Sequence, residues 1–288
     1  MGGFEAIAAE PYQGAAAWLS KHDQAAPSVL AAGGGAEPSA GVIDSLRQWG
    51  EPVSAGQAIP AGRIPFDLGA SAVLCYTVVS GEALDVLSRA GAVRPEPVKF
   101  SGGEELDDSF AAAYDWMRWQ MHRHIQGYTG GFPIWVWART SRRDLVSTVN
   151  DMAAQNPGST LLALRIPREQ LLLTDYLTWH DVLNGSPTIP VECVGCGTLH
   201  CDDASCLDGW FDDWYDRWSA EVPWGEDGLQ LPWWCWPPPL QARLFDGWDA
   251  IRSVRPGWPV QGCVERLRGE WVEAIQPLRV RTRRKVRA

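Results

Sequence analysis

Four of the chain's seven cysteines fall in one short acidic loop, as Cys193, Cys196, Cys201 and Cys206. The intervals of two, four and four residues are those of a zinc knuckle, with Cys201 standing where such knuckles usually carry histidine. Turning four thiolates inward around one ion needs short intervals and residues tolerant of positive φ, which Gly195 and Gly197 supply. Tetrahedral zinc held by four thiolates follows, and a closed ligand set leaves no position for water or substrate, so the ion is expected to be structural. His200 is the alternative third ligand and an iron–sulfur cluster the alternative cargo. Two disulfides or free thiols are the remaining readings. The N-terminus shows no basic region followed by an apolar run, so the chain reads as cytoplasmic, where disulfides have little claim.

A second group of residues with chemical potential is dispersed near aromatics at predicted strand ends: Tyr76, Thr77, Arg94, Arg143, Asp144, Asp175, His180 and Gln261. Each has an ordinary structural alternative. Asp175 suits a helix cap, His180 a satisfied core histidine and Arg143 a solvated face. No phosphate-cradling loop, dinucleotide-binding glycine fingerprint, His-Glu-x-x-His or Gly-x-Ser-x-Gly is present, which removes support for several large enzyme classes.

The elements that must position these residues emerge from periodicity. The first 70 residues, with Gly33-Gly34-Gly35-Ala36-Glu37-Pro38-Ser39 among them, read as an appendage and linker. A globular domain over 71–278 opens with a buried strand at Val73–Val79 and a helix from Glu82 to Ala90, stopped by Gly91, with Leu84 and Leu87 inward. A longer helix carries the stripe Phe110, Tyr114, Met117, Met121 and Ile125 and ends at Gly127. His122 and His124 point to different faces of it and make no metal pair. Phe132–Trp137 is a strand with both tryptophans on one face, Arg142 to Asp144 reads as a polar loop, and Leu161–Ile166 is another strand. Trp210, Trp214 and Trp218 recur every fourth residue. Trp233 to Pro239 reads as extended. Helices over Leu240–Ile251 and Gln261–Arg268 and a strand over Trp271–Leu278 complete the domain, and the tryptophan-rich half is expected to fold back over the first.

Composition narrows the partners. The 288 residues carry a net charge of −10, which argues against general nucleic-acid binding. The exception is a basic tail, residues 279–288, with six arginines and lysines. Acidic Glu192, Asp202, Asp203 and Asp208 around the cysteine loop would repel phosphate, so a knuckle-and-tail nucleic-acid reading ranks last. No stretch approaches the ~20 apolar residues of a membrane span. Of 17 tryptophans, 15 lie at or after Trp116. Indole N–H groups are costly to bury unpaired, so the cluster Trp233, Trp234 and Trp236 beside the proline run suggests a groove.

Two resemblances add to this reading. Tyr76-Thr77-Val78, Leu87-x-x-x-Gly91-x-x-Arg94, Ala113–Met117, Pro133-Ile134-Trp135-Val136-Trp137, Asp144-Leu145, Leu171–Asp175, Trp179-His180-x-Val182-Leu183-Asn184 and Val260-Gln261-Gly262 occur in the order of a bacterial family of domains of unknown function, over about residues 72–280. The chain departs from that family's pattern at the first strand, where Tyr76-Thr77-Val78-Val79 replaces Trp-Thr-Ile-Gln, and in its four-cysteine loop. More distantly, the order of elements resembles the ADP-ribosyltransferase superfamily. That likeness implies an α+β fold with a split, mostly antiparallel sheet and flanking helices, and NAD held in its cleft. It would place Gln261 where such enzymes use a late glutamate, with Asp175 and His180 as further catalytic candidates. Tyr76, Thr77, Arg94 and Arg143 would contact NAD, and Trp135 or Trp137 would stack on its rings. The reaction implied is ADP-ribosyl transfer or NAD glycohydrolysis. The alternative is a non-catalytic binding module whose tryptophan-lined groove takes a peptide or small apolar ligand, stabilised by structural zinc.

Overall fold

The structure is a computed structural model that describes residues 40–49, 54–95, 108–188, 216, 218–254 and 257–278. The cysteine loop, Trp210, Trp214 and the basic tail lie outside the described residues. The chain divides into two compact units, one built from segments 26–98, 120–173 and 258–288 and the other from 1–25, 99–119 and 174–257. The sequence instead groups 71–278 as one domain.

The first unit is organised by a curled, largely antiparallel sheet with flanking helices. Its strands are β1 (Ser54–Ala55), β2 (Ala72–Val79), β4 (Ile134–Arg139), β5 (Thr160–Pro167), β6 (Leu172–Asp175, whose last two residues pass into the other unit), β7 (Val260–Val264) and β9 (Val272–Pro277). They lie in the order β1-β9-β5-β2-β4-β7-β6, and β1 pairs with β9 in parallel. Two short strands, β3 (Ala92–Val93) and β8 (Leu267–Arg268), form a separate antiparallel arm.

β2 is central because its β-branched and aliphatic residues suit burial on both faces. It pairs with β5 along its whole length. On one face, Leu74, Tyr76, Leu161, Ala163 and Ala274 pack with Leu145 and Val149 of the helix Arg142–Gln155 and with Ala58, Ile59 and Ile64. Two sequence expectations change here. Arg142 to Asp144 opens that helix rather than a loop, because the Ser141 hydroxyl accepts the Asp144 N–H and caps it. Residues 54–66 belong to this sheet and its core, well inside the stretch read as an appendage.

The helix Gly81–Ala90 follows its sequence signals closely. The Ser80 hydroxyl accepts the Ala83 N–H, Leu84 and Leu87 are buried, and Gly91 closes the helix at φ 71°. Trp49 sits against this end: its indole N–H donates to the Ser88 carbonyl at 3.0 Å. A Cβ on Gly91 or on Gly269 would come within 2.8 Å of Trp49 atoms, so both glycines are required for close approach.

The segment expected to be a helix over Gln261–Arg268 is instead β7 followed by β8. Pairing with β4 overrides local preference, and Gly262 permits it. A Cβ there would lie 2.6 Å from Leu171 Cδ1 and 3.2 Å from the Leu172 carbonyl.

The second unit includes residues 108–119 of the helix Asp108–His124, the helix Tyr176–Leu183 and the helix Pro238–Trp248. Its core is aromatic. Trp248, with no exposed surface, meets Trp116 at 5.4 Å, Trp233 at 5.3 Å and Phe245 at 5.5 Å between ring centroids. Tyr114 meets Trp179 edge-on at 5.5 Å, and Trp218 meets Trp236 at 5.7 Å. The stretch Trp233–Cys235 is a single 3-10 turn rather than extended chain, held where Gln241 Nε2 donates to the carbonyls of Trp234 and Trp236. Trp233 and Trp236 are buried, which makes them core members and removes them as walls of an open groove. Among the described residues, no helix is long and apolar enough to cross a membrane.

Candidate functional site

Strand alternation sorts the sequence candidates of the sheet unit. Adjacent residues of a strand face opposite sides, and register partners in an antiparallel pair face the same side. Tyr76 pairs with Trp137, and Trp137 with Gln261. Trp135 and Cys263, also paired, lie two residues along on that face. Thus Gln261, Trp135 and Trp137 share one face of β4–β7, each half-buried, with Trp137 packed on the core cluster.

Tyr76 is on the same face but inside the core, 1% exposed. Burial and Glu273 push its hydroxyl up to about 12. Thr77 faces the other way, and its hydroxyl donates to the Trp135 carbonyl at 2.9 Å. The side chains of Tyr76 and Thr77, both expected to contact NAD, therefore lie on opposite faces of β2. Arg143 is exposed in the first turn of its helix. Burial also pushes up the thiols of Cys75, to about 12, and of Cys263, so neither is a ready nucleophile.

Asp175 and His180 belong to the other unit, so neither unit holds all three catalytic candidates. Asp175 caps the helix Tyr176–Leu183, accepting the N–H groups of Leu177 and Thr178, each at 3.1 Å. His180 is exposed, with Nδ1 donating to the Tyr176 carbonyl at 2.8 Å and its ring 4.4 Å from that of Tyr176. Both side chains have local structural partners.

The most concentrated chemistry is at a residue the sequence reading passed over. Glu265 follows β7 directly and is 4% exposed, a buried carboxylate where β7 turns toward β8. Oε1 accepts the Thr129 N–H at 3.0 Å, the Gly131 N–H at 3.2 Å and the Thr129 hydroxyl. Arg266 donates to Oε2 at 2.9 Å, and Arg94, half-exposed, places a guanidinium nitrogen 3.6 Å from Oε1. The Tyr128 hydroxyl donates to the Gly131 carbonyl at 2.5 Å, so the loop 128–131 is tied at several points. Burial raises the carboxyl's pKa, but the hydrogen bonds from Thr129, Arg266 and Gly131 outweigh it and hold Glu265 below the ordinary glutamate range. It is a fixed negative charge that orients two arginines. The signal was present in Cys263-Val264-Glu265-Arg266, an acid closing an apolar run. Read as a helix, the segment gave no reason to single Glu265 out.

Fold and site together define a mixed α/β domain with a curled antiparallel sheet and a buried charged centre at the end of one strand. Residues 75–188 match the family model described as Domain of unknown function (DUF3841), so the resemblance read from the blocks between Tyr76 and Asn184 holds over that stretch. Val260-Gln261-Gly262 and the cysteine loop fall outside it. No curated protein and no solved structure matches the chain. Among the described residues no group of three or more histidine, cysteine or acidic side chains is arranged to hold a metal.

Proposed function

We propose that this protein consumes NAD, transferring its ADP-ribose to an acceptor or to water. The observation that supports this most directly is the pairing of Gln261 with Trp137 across β4–β7, with Trp135 on the same face. An amide side chain sharing a strand face with two indoles supplies the residue types that stack a flat ring and accept a hydrogen bond from a ribose hydroxyl. In the reaction the bond between the nicotinamide nitrogen and the anomeric carbon breaks, and its electron pair leaves with neutral nicotinamide. The acceptor's oxygen or nitrogen then bonds to that carbon and gives up its proton. Positive charge develops at the anomeric carbon, and oriented dipoles lower the barrier. The role of the four-cysteine loop in this reading is structural, as a zinc staple that its spacing supports.

The test is calorimetric titration with NAD followed by chromatographic assay for released nicotinamide. Saturable binding with release, lost in Gln261→Ala, is the expected result. Indifference to NAD in both binding and turnover overturns the proposal.

A further inference from the structure

The β3–β8 arm carries an arrangement that the NAD reading did not require. Ala92 pairs with Arg268 and Val93 with Leu267. Continuing that register by one residue sets Arg94 opposite Arg266, and two-residue alternation puts Arg94, Arg266 and Arg268 on one face. The shared approach of Arg94 and Arg266 to Glu265 agrees with this placement. Like charges directly opposite in a sheet repel, so the fold has to compensate them.

The compensation is incomplete. Glu265 is engaged at close range by Arg266, leaving Arg94 at 3.6 Å with about half its side chain exposed. Arg268 reaches Glu270 only at 3.7 Å, across a carboxylate that is itself 57% exposed, and lies over the Trp271 ring at 5.8 Å. Its Nε is buried without a hydrogen-bond partner among the described residues. Three guanidiniums therefore face two carboxylates, in a chain whose net charge is −10. Guanidinium forks match phosphate oxygens in geometry and charge.

We infer that Arg94, Arg266 and Arg268 form a binding site for a phosphate or pyrophosphate group, with Glu265 positioning the first two. The inference rests on and deepens the NAD reading, which already expects Arg94 to contact NAD, by assigning the pyrophosphate to Arg94 together with Arg266 and Arg268 on the geometry of this arm. The group bound is either free or carried on a nucleotide.

Calorimetric titration of the full chain with inorganic pyrophosphate, with ADP-ribose and with NAD tests it. One saturable pyrophosphate site per chain is expected, weakening as salt rises and at least tenfold weaker in Arg94→Gln. Arg94 is half-exposed, so its variant should keep the thermal midpoint of the parent, and a circular dichroism melt checks this. Arg268→Gln is the second variant, expected to weaken the same site. ADP-ribose binding more tightly than pyrophosphate identifies a nucleotide-borne group, whereas equal affinity identifies the free anion. Absence of pyrophosphate binding, or binding unchanged in both variants, overturns the site. If pyrophosphate binds while NAD does not, the anion site stands and the NAD reading falls. If NAD is cleaved while both variants bind pyrophosphate and NAD as the parent does, the anion site falls and the NAD reading stands.

Discussion

The two units bury polar atoms by contrasting means. In the sheet unit one carboxylate, Glu265, gathers donors from three separate chain segments, Arg94, Thr129 to Gly131 and Arg266. In the tryptophan-rich unit the buried carboxylate Asp175 accepts from Leu177 and Thr178 of the helix it caps, within one turn of chain, and buried indole N–H groups are satisfied singly by main-chain carbonyls. Trp248 donates to Ser186 at 2.7 Å and Trp236 to Leu231 at 2.6 Å. Trp116 and Trp218 keep buried indole nitrogens with no hydrogen-bond partner among the described residues. The first arrangement concentrates its stabilisation on one group and fixes charges in space. The second distributes it over rings whose edge-to-face contacts contribute about 0.5–1.5 kcal/mol each beyond burial. Concentrated charge is what a ligand site needs, whereas dispersed aromatic packing is what a core needs.

Perturbing the two units separately sharpens that contrast. The largest effect is expected from the four-cysteine loop, which lies in the chain stretch of the tryptophan-rich unit. Metal analysis should find one zinc per chain, and stripping it with a chelator should unfold that unit, since structural zinc supplies roughly 10–16 kcal/mol in small zinc-dependent domains. A metal-free purified protein with an unchanged melting curve removes the zinc reading. Next, Trp248→Ala deletes a fully buried ring with three aromatic neighbours and should cost about 3–5 kcal/mol in urea unfolding. A loss under about 1 kcal/mol would show that the aromatic core is not packed as described.

Glu265→Ala should cost about 3 kcal/mol, because it leaves buried N–H groups and two arginines without their acceptor. Its pH dependence has a definite sign. A carboxyl with a depressed folded-state pKa stabilises above the ordinary glutamate value of about 4 and loses that contribution as pH falls through the folded value. The stability gap between parent and variant should therefore be full at pH 7 and narrow as pH falls below about 4. A gap that stays constant on acidification would remove the ionised carboxylate from the account.

The smallest effect is a comparison of two conservative changes. Trp248→Phe leaves the Ser186 carbonyl without its donor, while Trp116→Phe removes an indole N–H that has no acceptor among the described residues. The first should cost about 1–3 kcal/mol more than the second, by the asymmetry between breaking a pair and removing an orphan. Equal costs would mean that Trp116 has a partner after all.

Much of the sheet unit was legible because its signals are local. The β-branched run of β2, the glycine stop at Gly91, and the strands around Trp135 and Leu162 each state their own structure. Gln261 to Arg268 misled because the same residues satisfy a helical pattern until β4 is there to pair with them. Glu265 escaped for the related reason that its donors in the loop, Thr129 and Gly131, come from positions more than 130 residues away, a juxtaposition that no local window contains. Trp233 to Trp236 was misread because prolines on both sides suggested extension, whereas burial of the rings bends the backbone into a turn.

Trp49 has a practical consequence for anyone trimming the gene. Its indole fills the space left by Gly91 and Gly269, and Ser54–Ala55 hydrogen-bonds along β9 soon after. A shortened chain beginning at residue 71, where sequence alone would cut, discards both and bares an apolar notch beside the arginine arm. Cutting before Ala40 keeps the plug, and the difference should be visible at the first purification step, as a soluble monomeric fraction in one case and aggregate in the other.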